Sequence, residues 1–93
     1  MIGNFVVLRH DNGEYSSYAH LRTGSVTAAK GDRVARGQRI GEIGDTGDTN
    51  LVHLHFQIMD GPDPLTARSI PFAFTDLFPP GGDLGRIVRT MKR

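Results

Sequence analysis

The 93-residue chain contains no cysteine, so disulfides and thiolate metal sites are excluded, and any transition-metal site must draw on His, Asp, Glu or water. It has no apolar run long enough to span a bilayer as a helix. Its formal net charge is only +1, which gives no general reason to expect nucleic acid as a partner. The start, Met1-Ile2-Gly3-Asn4, lacks a basic segment followed by an apolar one, so no signal peptide is expected in this stretch. Heptads are absent, and no pattern predicts a helix of more than two turns. What the chain has instead is 12 Gly and 5 Pro, which suit an all-β domain with many tight turns. With 38% hydrophobic and 23% charged residues it is neither disordered-like nor membrane-like, and its length allows one small domain with a modest core.

Alternation and turn residues predict strands at 5–10 and 14–21, joined by Asp11-Asn12-Gly13, whose Asn and Gly tolerate the left-handed backbone of hairpin turns. Further strands are expected at 25–29, 39–43 and 51–59, with a short closing strand at 70–74. Lys30-Gly31-Asp32 and Arg36-Gly37-Gln38 read as turns around Val34. Asp60-Gly61-Pro62-Asp63-Pro64 ends the 51–59 strand, because proline cannot extend a central ladder. Pro79-Pro80-Gly81-Gly82-Asp83 reads as a linker, and 84–93, with four basic residues and no acid, as a poorly ordered tail. The expected organisation is a partial domain over 1–78 and a linker and basic tail over 79–93. The expected fold is an antiparallel β-sandwich or barrel-like hybrid.

The chemistry concentrates in His53-Leu54-His55-Phe56 and Tyr18-Ala19-His20-Leu21. Residues two apart on a strand share a face, which places His53, His55 and then Gln57 on one side. Leu54, Phe56 and Ile58 alternate onto the other, which reads as a core. In the second segment Ser16, Tyr18 and His20 are expected to share a side. Three of the four histidines therefore stand where strands can bring them together.

The ordered set Gly3-Asn4-x-Val6-Val7-Leu8, Asp11-Asn12-Gly13, Tyr18-Ala19-His20-Leu21, Gly31-Asp32-x-Val34-x-x-Gly37-Gln38-x-Ile40-Gly41, Gly44-Asp45-Thr46-Gly47 and His53-Leu54-His55-Phe56 resembles the C-terminal half of the lysostaphin and LytM type zinc metallopeptidases, peptidase family M23. The resemblance covers about residues 3–60. The Asp60-Gly61-Pro62-x-Pro64-Leu65 continuation is similar to one subgroup. It implies Zn²⁺ as cofactor with His55 as a metal ligand, and His20 and His53 as histidines that assist catalysis. The implied reaction is peptide-bond hydrolysis, in peptidoglycan, in the cell envelope or outside the cell. Zinc acidifies a water, and a nearby imidazole takes its proton or stabilises the oxyanion.

The family's two other ligands come from a His-x-x-x-Asp motif N-terminal to the matched region. In this chain no His is followed four residues later by Asp: His10 has Glu14, His20 has Gly24, His53 has Gln57 and His55 has Met59. A catalytic zinc normally has three protein ligands and one open position. The expectation is therefore a fragment of a longer protein or a late start, rather than a degenerate member. Such a chain would lack N-terminal strands, self-associate through an exposed sheet edge, and bind zinc weakly through His55 with help from His53 or His20. Asn50-Leu51-Val52 also replaces the usual Gly-Pro or Ala-Pro before His53.

Plainer readings stand beside these. A His-x-His pair alone is more often solvated than metal-binding. His10 reads as a surface strand-end residue without a role. Tyr18 either packs beside His20 or offers its hydroxyl to substrate. Asp45, Thr46 and Asp48 read as loop-structuring side chains bonded to local backbone. Two other functional classes compete with the enzyme: a non-catalytic binding or regulatory module of the same fold, and a lipoyl, biotinyl or phosphotransferase carrier suggested by the Gly-Asp-x-Val-x-x-Gly-Gln segment. Lys30 lacks the Met-Lys-Met-like hairpin setting that a carrier needs.

Overall fold

The computed structural model describes residues 3–47, 51–72 and 83–91. Six strands, β1 (Asn4–Arg9), β2 (Tyr15–Leu21), β3 (Arg33–Ala35), β4 (His55–Met59), β5 (Ser69–Ile70) and β6 (Asp83–Met91), form one antiparallel sheet in the order β3-β6-β1-β2-β4-β5. No helix occurs among the described residues, and none is long and apolar enough to cross a membrane. The expected all-β antiparallel class is what the chain adopts.

The core explains why β1 sits centrally. Its run Phe5-Val6-Val7-Leu8 is apolar at consecutive positions, as a strand covered on both faces must be. Val6 and Leu8 pack on one face with Leu21, Val26, Ala28, Val34 and Ile87. Phe5 and Val7 pack on the other with Ala19 and Met59. The β1–β2 hairpin turns as its residues dictate: Gly13 has φ 84°, and Asn12 Oδ1 accepts the Glu14 amide at 3.0 Å.

Four expectations are corrected. The segment read as a basic tail is strand β6, inserted between β3 and β1. Ile87 is buried to 1% exposure, and the Arg86 guanidinium reaches the Gly31 carbonyl at 2.8 Å. Arg86 and Arg89 sit on a strand whose β-branched residues, Ile87 and Val88, face both sides of the sheet, while 92–93 lie outside the described residues. Val34, read as lying between turns, is on edge strand β3. The stretches 25–29 and 39–43 are extended but are not strands, because a side chain replaces a ladder partner. Ser25 Oγ accepts the Glu42 amide at 3.0 Å and donates to the Arg22 carbonyl at 2.7 Å. Finally, β4 begins at His55, and His53 makes only an isolated bridge to Gly44. Of the expected 70–74 strand, Ile70 falls in β5, while 73–74 lie outside the described residues, as do Asp48 and the 79–82 linker.

The edge strands β3 and β5 are three and two residues long, which blunts edge-to-edge pairing. Apolar exposure is the stronger liability: Ile43, Val52 and Leu65 are 55%, 70% and 74% exposed. The 93-residue chain is expected to self-associate in sedimentation equilibrium at high protein concentration, and Ile43→Lys with Val52→Lys to reduce this. A strictly monomeric wild type across that range would contradict the expectation.

Candidate functional site

His20, His53 and His55 converge on one face of the sheet. The His20 ring centroid lies 4.9 Å from that of His53 and 5.8 Å from that of His55. One ring nitrogen from each lies within 4.8 Å of the others. His20 is buried, His53 half-buried and His55 exposed, so the cluster is anchored on β2 and opens to solvent at β4.

The route by which His20 arrives differs from simple alternation. Tyr18 and Leu21, three residues apart, both face the Val6–Leu8 core. Between Asn4 and Val6, β1 advances two residues while β2 advances three, from Leu21 back to Tyr18. The extra residue is accommodated by a β-bulge, and His20 takes the left-handed φ of 60°. The bulge carries His20 to the face of Ala19, whose cross-strand partner is His55. The expectation that Ser16, Tyr18 and His20 share a side is thus corrected, although the three histidines do meet.

Each imidazole is oriented by a hydrogen bond from one of its ring nitrogens. His20 Nδ1 donates to the Thr46 carbonyl at 2.6 Å, and His53 Nδ1 to the Leu51 carbonyl at 3.0 Å. A carbonyl only accepts, so in the neutral form of both rings the lone pair falls on Nε2. His55 Nε2 donates to Gln57 Oε1 at 3.0 Å, which leaves its lone pair on Nδ1. Gln57 shares the His55 face, as alternation predicts. Three imidazoles, each oriented by a hydrogen bond to an oxygen, are the donor type that suits zinc and its neighbours, so these residues fit a transition metal.

Thr46 was expected only to structure its own loop. Instead its hydroxyl donates to the Leu21 carbonyl at 2.7 Å and accepts the Asn4 amide at 3.0 Å, while its carbonyl holds His20. A small hydroxyl residue between Gly44 and Gly47 was the available signal. The loop sits close on β2: a Cβ at Gly44 would lie 2.6 Å from the Arg22 Cα, and the Gly44 carbonyl accepts the His53 amide at 3.1 Å. Gly44→Ala is expected to push the loop off β2 at about 1–3 kcal/mol, the range for overpacking. The check is a lower urea midpoint together with faster hydrogen exchange at the His53 amide.

The face opposite the histidines is half-buried rather than the expected core. Tyr18 packs tilted against Phe56 with ring centroids 5.1 Å apart, Phe56 meets Phe72 edge to face at 5.2 Å, and Leu54 is 40% exposed. Leu8, Tyr18, Leu21, Ile40 and Leu54 help line an open depression of about 200 Å³ there. The Tyr18 hydroxyl accepts from Ser16 at 3.1 Å. Burial pushes the Tyr18 phenol above its ordinary pKa, and the Ser16 bond partly offsets that. His10 is not part of the cluster. It sits near the other end of β2, with Nε2 2.8 Å from Ser16 Oγ.

The model of peptidase family M23 matches residues 1–67. Peptidoglycan DD-endopeptidase ShyA of Vibrio cholerae is 40% identical over 73 residues, which are 76% of this chain and 16% of that protein. DD-carboxypeptidase/endopeptidase Mpg of Neisseria meningitidis is 35% identical over 75 residues, 81% of this chain and 17% of that protein. Cell division protein DipM of Caulobacter vibrioides is 35% identical over 60 residues, 64% of this chain and 10% of that protein. The chain thus spans less than a fifth of the length of these relatives. No solved structure matches significantly.

Proposed function

The chain belongs to peptidase family M23, and from that premise we propose that its histidine face is part of a zinc-dependent site that hydrolyses peptide bonds in peptidoglycan, in the cell envelope. The observation that carries this reading is the convergence of His20, His53 and His55 with tautomers set by the Thr46 carbonyl, the Leu51 carbonyl and Gln57. His55 would hold the metal through Nδ1. When bound, zinc supplies polarisation of the scissile carbonyl and acidification of the attacking water.

The rest falls to the chain's own groups. His20 and His53 each present a basic Nε2, and each keeps its Nδ1–H on a carbonyl. A proton accepted at either Nε2 yields an imidazolium whose existing Nδ1–H···O=C bond strengthens with the charge. The same proton can be returned to a leaving amine. Burial holds His20 rigid, whereas solvent reaches His55, on the side from which an extended peptide could approach.

A second reading, a non-catalytic binding or regulatory module, is favoured by one observation: no His in these residues is followed four positions later by Asp. The two readings separate on a longer protein that carries the family's upstream His and Asp. Zinc content and hydrolysis of cross-linked stem peptides are measured together. Stoichiometric zinc with turnover supports the enzyme. Stoichiometric zinc with no cleavage of any wall peptide tried replaces it with the module.

A further inference from the structure

We propose that Thr46 is a positioning residue for the proposed hydrolysis: its hydroxyl, inserted between β1 and β2 at the bulge, sets the carbonyl that aims His20 into the histidine face. The inference rests on the peptidase reading for its effect on rate, but not for its effect on the ring.

Four observations carry it. First, Asn4 and Leu21 are opposed partners on β1 and β2, at the start of the bulge. The Thr46 hydroxyl stands between their backbones, accepting the Asn4 amide at 3.0 Å and donating to the Leu21 carbonyl at 2.7 Å. A side chain from a distant loop thus joins the two strands where alternation breaks. Second, the carbonyl of the same residue accepts from His20 Nδ1 at 2.6 Å. Few torsions separate hydroxyl from carbonyl within one residue, and a β-branched side chain is stiff at χ1. Holding the hydroxyl therefore holds the carbonyl. Third, that carbonyl cannot recede. A Cβ at Gly3 would lie 2.5 Å from the Thr46 oxygen, so the residue before β1 is packed directly against it. Fourth, His20 keeps φ 60°, which costs a non-glycine residue energy and persists only where the surroundings over-determine it. The Thr46 bonds supply that constraint from outside the strand. With Nδ1–H on the carbonyl, Nε2 is left for the cluster, where the ring centroids of His53 and His55 lie 4.9 and 5.8 Å away. Serine can make all three bonds. Valine, close to threonine in shape, keeps only the carbonyl.

The test compares Thr46→Val, which loses the hydroxyl, with Thr46→Ser, which keeps it without the methyl. In the 93-residue chain, nitrogen-15 NMR of the histidine rings reads the tautomer. Wild-type His20 is expected in the Nδ1–H form, with that proton slow to exchange. Thr46→Val should lose this protection and mix the two tautomers, Thr46→Ser should retain it, and the His10 ring should be unaffected in both. In a longer protein with the family's upstream His and Asp, Thr46→Val should lower kcat on cross-linked stem peptides by up to about 10²-fold, the scale of a misplaced catalytic group. KM and zinc content should change little, and Thr46→Ser should recover most of the rate. A folded Thr46→Val chain with the wild-type His20 tautomer and protection would overturn the proposal. So would an unchanged kcat, or a rate loss that Thr46→Ser shares in full. If Thr46→Val does not fold, Thr46→Ala makes the same comparison, and a wild-type His20 with Nδ1 bare or freely exchanging decides against the proposal by itself. A wild-type longer protein without turnover removes the peptidase reading and leaves the ring result standing, so the two failures are distinguishable.

Discussion

In a protein that also carries the family's upstream His-x-x-x-Asp pair, His20→Asn and His53→Ala are expected to slow peptide hydrolysis by roughly 10²–10⁴-fold, the usual worth of a positioned acid or base, while most of the metal is retained. His55→Ala is expected to lose the metal and the activity together. The reasoning starts from the rings. His20 and His53 each have Nδ1–H committed to a carbonyl, which makes Nε2 the atom that exchanges protons. Asn is chosen at position 20 because of the backbone. His20 has φ 60°, where Asn is several-fold enriched and Ala adds roughly 1–2 kcal/mol of strain. A loss of rate in His20→Asn therefore reports chemistry rather than local unfolding. Initial rates on cross-linked stem peptides and zinc content by atomic emission check the set. Unchanged rates would make the two histidines spectators, and zinc loss in all three variants would make them ligands.

Ending the chain at residue 82 is expected to abolish cooperative folding. This removes β6, which separates β3 from β1 and contributes Ile87 to the core around Val6 and Leu8. Exchange of backbone bonds ties the same strand to the 31–32 turn: Gly31 donates to the Ile87 carbonyl at 2.8 Å, and Ile87 donates to the Asp32 carbonyl at 2.9 Å. The milder variant Ile87→Ala should cost about 2–5 kcal/mol. That is a large share of the roughly 5–15 kcal/mol typical of a domain. Urea unfolding followed by circular dichroism measures both. A truncated chain with an unchanged sigmoidal transition would show that β6 is dispensable.

The central hairpin was legible because its signals are local: a four-residue apolar run, an Asn-Gly turn and an alternating return strand. The meeting of the histidines was legible for a partly wrong reason. Strict alternation puts His20 on the Tyr18 side, and only the bulge carries it across. A bulge depends on pairing with β1, which no pattern within 18–21 reveals. β6 was missed because its arginines were read as marks of a solvated end. Ile87 and Val88, adjacent and β-branched, were the contrary signal, since a strand buried on both faces shows such a pair. The 25–29 and 39–43 stretches failed as strands for a different reason. Ser25 supplies a side-chain partner for Glu42, a choice between two bonding patterns that composition leaves open. Thr46 was recognised as a loop residue, but its partners, Asn4 and Leu21, are distant in sequence.

The pairing of β1 with β6 has a consequence for how the chain is made. Thr90 reaches back to the Phe5 carbonyl across 85 positions, and β1 finds its second neighbour only in the last strand. At about 5–20 residues per second, a ribosome takes roughly 4–16 s to deliver β6 after β1 has emerged. For that interval Val6, Val7 and Leu8 have one flank open, on the most apolar strand of the nascent chain. Closure of the sheet around β1 therefore waits until β6 has been made. The newborn polypeptide is a substrate for chaperones before it can be a folded domain, and its yield should depend more on holdase capacity than on its equilibrium stability.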